Sequence, residues 1–307
     1  VALTISSRTG ELGPDGHATF NWKPYALAYD SRLVSPLLNS TGASTVTVQF
    51  EWKFDHFLGS TDLFDYHDFL VPRGNEAAFY VTLFDYLEAV DWHTINLSSL
   101  PEDSPTLAFL PSVAREKGYA SAVLKEDVAP VASLPSTWDE YQAGLTGKNR
   151  HELRRKFRRL TAAGTSRQYL CGNPETLPEC MKDFFRLHRA SRPDKSEFMT
   201  PQREAFFVDV AVELSERGQF KLAFLELNDV RVASCISFNY LDSYLLYNSG
   251  YDPSYSNLSV GLLNKALTIK DAIVAGKRHF NFLRGSERYK YALGAKDHGV
   301  YQLIVHR

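Results

Sequence analysis

Two stretches of this sequence concentrate groups that could act on a substrate. From Lys148 to Arg159 the chain reads KNRHELRRKFRR, with seven Lys/Arg and one Glu. Leu153, Phe157 and Leu160 recur at spacings of four and three and form an apolar stripe that would bury. Arg150, Arg154 and Arg158, and likewise Arg155 and Arg159, must point elsewhere. Like charges four apart on a helix repel by about 0.2–0.5 kcal/mol per pair, and the single Glu152 cannot offset that; a bound anion would. Three readings stay open: a solvated face paired with acids such as Asp62, Asp65 and Asp68, a site for a phosphorylated or otherwise acidic substrate held by Arg150, Arg154 and Arg158, or contact with tRNA or a duplex. Aromatics do not alternate with the cations as a stacking platform for single strands requires, the one in the run being Phe157 of the apolar stripe. His151 reads as a surface or packing histidine. The second stretch is Arg284–Lys290 (RGSERYK), at the end of an apolar run. Polar groups at a strand end are held by the scaffold. Arg284 and Lys290 could supply positive charge where an oxyanion or a phosphate appears. The alternative pairs Arg284 with Glu287 and leaves Lys290 as a helix cap.

Other chemistries lack their residue patterns. The nine histidines form no His-x-x-x-His or His-x-His, and no acidic cluster has ligand spacing, so no metal is expected. No nucleophile elbow, Walker loop or dinucleotide glycine run occurs. The three cysteines, Cys171, Cys180 and Cys235, form no CxxC pair, which predicts isolated thiols in a reducing compartment. With 307 residues, 44% hydrophobic and 23% charged, the chain can bury a core of its own. A net charge of −2 argues against a general nucleic-acid coat. No window of 18 apolar residues predicts membrane insertion, and Val1–Thr4 opens without a basic region and apolar stretch. A soluble, cytoplasmic protein is the expectation.

The elements that must position these residues follow from periodicity. Residues 1–45 are turn-rich, and Thr45–Trp52 alternates like a strand. Ala77–Val90 and Thr106–Lys117 read as helices, Thr94–Leu100 and Tyr119–Leu124 as extended, so the first half is an interleaved α/β unit. Residues 125–136, with Pro130 and Pro135, read as the passage between halves. Thr137–Leu145 is a short helix capped by Ser136 or Thr137 and ended by Gly147. Asn149–Ala163 and Pro178–Ala190 are helices, the latter with Met181, Phe184, Phe185 and His188 near one face. Thr200 caps a third, with Pro201 at its first position, running to Gly218. Phe220–Leu227 and Val230–Tyr240 form a hairpin about Asn228-Asp229, and Tyr244–Asn248 adds a strand. After a loop over Gly250–Val260 come a helix (Gly261–Ala275), a strand (His279–Leu283), a short helix (Glu287–Leu293) and a last strand (Val300–Val305).

That order, with four stretches in it, resembles the Gcn5-related N-acyltransferase superfamily, and within it the BioF2-like, cellulose-biosynthesis-type acetyltransferases related to the Fem peptidoglycan aminoacyltransferases. The stretches are Lys148–Lys156; Val232-Ala233 with its strand; Tyr247–Asp252 (YNSGYD) with Ser259–Leu263 (SVGLL); and Phe280–Lys290 (FNFLRGSERYK). The resemblance implies a mixed α/β fold of tandem acyl-CoA N-acyltransferase-like domains in a Fem-like arrangement, a degenerate one over 1–135 and a catalytic one over 136–307. It implies transfer of an acyl group to an amine or hydroxyl without a covalent enzyme intermediate. The donor would be acyl-CoA, or aminoacyl-tRNA as in Fem-type members. The acceptor would be an acidic sugar, envelope precursor or peptide. A catalytically inactive carbohydrate- or peptide-binding scaffold is the reading from another class.

The resemblance also assigns places. The donor's phosphates would meet backbone amides at a helix start, here Ser259, Val260, Gly261 and Leu262, although the family's Q/R-x-x-G-x-G/A signature is absent. Lys290 would stabilise donor or intermediate, with Arg284 beside it and Tyr289 in the family's Tyr-Lys pair. Asn281 would point into the cleft. Asp252 is the first choice of general base, against a turn-forming role before Pro253; Glu226 is a second acid at the donor side. Cys235, mid-strand, reads as buried.

Overall fold

The computed structural model describes residues 63–89 and 92–307; the expected strand Thr45–Trp52 and Asp62 lie outside them. Two compact units result, one of the described residues up to Leu124 together with Tyr301–Arg307, the other of Lys125–Val300.

In the first unit, α1 (Glu76–Glu88) and α2 (Pro105–Glu116) alternate with β1 (Thr94–Pro101) and β2 (Ala120–Val128). The start of α2 has the sequence logic of a capped helix. Ser104 accepts a hydrogen bond from the Leu107 amide, and Pro105 fills the first turn. The last strand of the chain, β9 (Gly299–His306), lies between β1 and β2. Its Leu303 and Val305 join Tyr80, Phe84, Leu100 and Leu110 in one core.

The second unit is built on a six-stranded sheet in the order β3-β8-β7-β6-β5-β4. Its strands are β3 (Val131–Ser133), β4 (Ser166–Cys171), β5 (Phe220–Leu227), β6 (Val230–Tyr240), β7 (Ser243–Tyr251) and β8 (His279–Asn281). The hairpin between β5 and β6 turns at Asn228 and Asp229, both with positive φ (49° and 62°), the backbone that a two-residue primed turn requires. Helices α3 (Trp138–Gly144), α4 (Gly147–Ala163), α5 (Leu177–Ser191), α6 (Pro193–Phe198), α7 (Pro201–Glu216), α8 (Val260–Val274) and α9 (Arg288–Ala292) complete it. β5 is buried almost throughout. Ala223, Leu225 and Leu227 pack with Leu263, Ala266 and Ile269 of α8. Leu222 and Phe224, of opposite parity, are buried on the other face, where the rings of Phe220, Phe238, Tyr247 and Phe207 follow one another.

Several expectations are corrected. Residues 125–136 follow the boundary between the units at Leu124, but they are not irregular: they finish β2 and form β3, an edge strand paired with β8, where the flanking Pro130 and Pro135 cost no ladder bonds. Gly147 opens α4 rather than closing α3, because Thr146 accepts from the Asn149 amide as its cap. β4 and α6 had no strong periodicity to announce them. The part of the loop up to Tyr251 is strand, and Pro253–Leu258 is a 3-10 helix. Cys171 and Cys180, nine positions apart in sequence, are joined in a disulfide, so these two thiols are not isolated: the chain folds back from the end of β4 to the start of α5 and brings their Cα atoms to 6.7 Å. Cys235 is free and buried.

The feature that shapes the unit is the junction of β7 and β8. They pair in parallel through Ser243↔His279, Tyr244↔Phe280 and Leu245↔Asn281, and there the pairing stops. β7 continues along β6 to Tyr251↔Ala233, with a bulge that leaves Tyr247 unmatched between Leu246 and Asn248. Beyond Asn281 the chain follows β3 instead, the Phe282 amide donating to the Pro130 carbonyl. The two strands therefore splay. On the far side of β7, α5 approaches so closely that a Cβ on Gly250 would lie 2.3 Å from the His188 nitrogen and 2.4 Å from the Leu187 carbonyl carbon. Gly250→Ala should destabilise the chain by about 1–3 kcal/mol, the usual cost of overpacking. Gly144→Ala, which meets nothing within 4 Å, should change stability by under about 0.5 kcal/mol; urea unfolding of both variants checks the contrast.

Candidate functional site

The splay leaves one edge of β7 without a strand partner beyond Leu245, and three helices bring side chains toward it. Asn248 accepts from its neighbour Ser249's amide (2.8 Å) and pairs through Oδ1 with Nε2 of His188 on α5 (3.0 Å). The Ser249 carbonyl accepts from Nζ of Lys195 on α6. From α8, Lys265 is buried, with Nζ 3.3 Å from the Gly261 carbonyl and 5.0 Å from the centre of the Tyr289 ring. These groups feel one another's charge. Burial, then the charges of Lys265 and Arg192, lower the pKa of Lys195 to about 8. Burial also lowers Lys265, against the pull of Cys235 and Glu287. His188, 1% exposed, is lowered to about 4 by burial and by Lys195; its Nδ1 is buried with no partner.

The segment after β8 is tied down by its own side chains. Asn281 Oδ1 accepts from the Leu283 amide (2.8 Å), and Leu283 takes a positive φ of 57°. Lys290, 1% exposed, donates to the carbonyls of Leu283 (3.0 Å), Arg284 (2.7 Å) and Gly285 (2.9 Å) and pairs with Glu287 at 2.9 Å. Burial opposes charge on Glu287, but Lys290 and Arg192 outweigh it and its carboxyl titrates below its ordinary value. Arg284 pairs with Glu126 (2.9 Å) and Asp127 (3.4 Å), not with Glu287. Tyr289 packs on Phe282 below Lys265, and burial raises its pKa.

At the start of α8, Ser259 is left-handed (φ 56°) and makes no side-chain cap; its Oγ accepts from Lys156 of α4 at 2.9 Å. Arg159 donates to the Asn257 carbonyl (2.6 Å). Val260, Gly261 and Leu262 precede the first helical bond, Leu263 to Ser259. The face of Gly261 that a Cβ would occupy is taken by the Tyr251 ring at 3.2 Å, so the glycine serves packing within the chain. Asp252 accepts from the Ser254 amide (2.9 Å) and starts the 3-10 turn. Glu226 is held by Arg167 and Tyr169, both at 2.8 Å. The cations of α4 thus divide. Lys156 and Arg159 reach the α8 corner, Arg155 pairs with Glu152, and Arg150 donates to the Ala143 carbonyl (3.1 Å). Arg154 and Arg158 line an open groove.

His188, Lys195 and Lys265 were missed by sequence reasoning as site residues. Lys265 did leave a signal, a lysine at a buried-face position of an apolar helix. Lys195 left none, since its place follows from α6 folding onto β7.

Two outcomes follow. The folded His188 stays neutral to about pH 4, whereas an unfolded histidine protonates near 6.5. Between those values the unfolded state binds more protons, so stability falls as pH falls, by up to about 3 kcal/mol, and levels off below about 4. Urea unfolding at pH 7 and pH 4.5 should show this loss in the wild type and not in His188→Gln. Lys290→Met strands three carbonyls in a buried turn and should cost about 2 kcal/mol or more in the same measurement.

Residues 147–291 match the family model described as Acetyltransferase (GNAT) domain. No curated protein sequence matches the chain. Among solved structures, FemX is similar with a TM-score of 0.53 at 11% identity, over 76% of this chain and 78% of that one. The C-terminal DUF2156 domain of a candidate lysylphosphatidylglycerol synthetase from Agrobacterium fabrum gives 0.52 at 12%, over 74% and 73%. A conserved protein of unknown function from Bacteroides thetaiotaomicron gives 0.51 at 12%, over 75% of each chain. Residues 147–291, which match that domain model, have β7 and β8 splayed at their centre, and the chain shares its fold with FemX.

Proposed function

We propose that this chain transfers an acyl group from acyl-CoA to an amine of a sugar, an envelope precursor or a peptide, within the gap between β7 and β8. The observation that carries the reading is the parallel pairing that ends at Leu245↔Asn281, leaving the Ser249 carbonyl to Lys195 instead of to a strand. In this reading the thioester lies along that edge. The amine nitrogen attacks the carbonyl carbon, the C–N bond forms, and the C–S bond breaks. Lys195, with its pKa lowered to about 8, takes the proton lost by the amine and passes it to the departing thiolate. Lys265 supplies positive charge as the oxyanion develops. The donor's phosphates meet the Val260–Leu262 amides, flanked by Lys156 and Arg159. Lys290, Arg284, Asn281 and Asp252 act as positioning residues: they fix the two turns that border the gap. A cytoplasmic setting, where acyl-CoA is made, fits this donor, while the Cys171–Cys180 disulfide is a bond that oxidising compartments favour; no helix among the described residues is long and apolar enough to cross a membrane.

Calorimetry with CoA, acetyl-CoA and an aminoacylated tRNA tests the donor. Binding of CoA and acetyl-CoA supports the reading, and binding of the tRNA alone replaces it with an aminoacyl-tRNA-dependent ligase. Thiol release from acetyl-CoA with a panel of amino sugars and short peptides tests the reaction. Turnover should rise with pH through about 8, as Lys195 loses its proton. Lys195→Met should lower kcat by about 10²-fold or more and abolish that rise. Lys195→Arg, which keeps a charge but cannot take a proton, should fail to restore it.

A further inference from the structure

The groove beside α4 is separate in composition from the gap. It is an open groove of about 660 Å³ between α3, α4 and α8. Its walls are Trp138, Gln142, His151, Arg154, Phe157, Arg158, Leu267 and Lys270. Three basic side chains face it, from two helices, and no carboxylate among the described residues lines it. Arg154 makes only a long contact with the Gln142 side chain (3.5 Å). Arg158 and Lys270 have no ion pair among the described residues. The one glutamate of α4 is spent on Arg155 and Lys156. The repulsion within α4 is therefore left uncompensated at this place. Beside the cations lie two half-buried aromatic side chains, Phe157 and Trp138. The indole is held in place by stacking on Tyr141, with ring centres 5.1 Å apart. Ring surface and anion-binding charge thus share one concavity.

We infer that this groove is an accessory binding site for a nucleoside diphosphate, its base against Trp138 and Phe157 and its phosphates between Arg154, Arg158 and Lys270. Guanidinium groups match phosphate oxygens in pairs, and an aromatic wall takes any base through its π-face. A long nucleic acid fits less well, since the cations gather in one groove instead of running as a stripe with aromatics between them. The site stands apart from the acyl-transfer gap, and neither assignment needs the other.

Binding of ADP, GDP and inorganic pyrophosphate to the full chain, measured by calorimetry without acyl donor, tests it. At least one nucleoside diphosphate should bind ten times or more tighter than pyrophosphate, and saturating CoA should leave that affinity unchanged. Arg154→Ala/Arg158→Ala and, from the other helix, Lys270→Glu should each weaken binding at least tenfold. Trp138→Phe should weaken the nucleotide more than pyrophosphate. All these side chains but Trp138 are exposed, and unchanged circular dichroism confirms that the variants fold. Equal affinity for pyrophosphate, displacement by CoA, binding of single-stranded RNA without binding of nucleotide, or unchanged affinity in the groove variants would each overturn the assignment. Acetyl-CoA turnover is read separately, so failure of either assignment is seen by itself.

Discussion

The second unit depends on a pairing that stops. A parallel strand pair normally satisfies every inner edge, yet β7 and β8 share only the register from Ser243↔His279 to Leu245↔Asn281. Both strands carry the reason. Tyr247 bulges β7, which bends and twists more strongly there. β8 keeps its pairing with β3 up to Asn281, which captures the Leu283 amide and starts a turn whose next three carbonyls Lys290 gathers. The edge left open is what α6 addresses with Lys195, and Gly250 is what lets α5 come near enough to place His188 against Asn248.

Burying cations beside such an edge is costly, and the chain meets the cost with dipoles more than with acids. An ammonium taken from water needs several donors satisfied or it gives up its proton. Lys290 has three carbonyls and Glu287, a full complement. Lys195 and Lys265 each have one carbonyl as a hydrogen-bond partner, from Ser249 and Gly261. The difference sorts the lysines by chemistry: the one with full coordination holds a turn, and the two with partial coordination have their pKa values lowered by burial. A lysine near neutrality beside an open strand edge is a group able to move a proton.

Much of this was legible in the residues. The hairpin at Asn228-Asp229, the Thr200-Pro201 helix start and the amphipathic stripe of α4 rest on local rules, and local rules survive folding. The strand and the short helix within His279–Leu293 were legible too. What could not be read was long-range. Nothing local says that β9 returns between β1 and β2, or that Val131–Ser133 is strand rather than linker, because both are defined by partners more than 100 residues away in sequence. The same holds for Lys195, whose carbonyl partner is 54 residues distant. The seven cations of α4 were visible as a surplus, but the division of six of them between a carbonyl, a glutamate, the α8 corner and the groove depends on which helices pack alongside.

A donor that reacts at the unpaired edge of β7 must lie along that strand when bound. Backbone amide spectra of the isotope-labelled chain, recorded during titration with CoA, test it most directly. The account predicts that the largest shifts fall on Leu246–Tyr251 and Val260–Leu262, with smaller ones on the Leu283–Gly285 turn. Shifts that leave those amides unmoved while CoA binds, or that cluster on β4 and α7 instead, would contradict it.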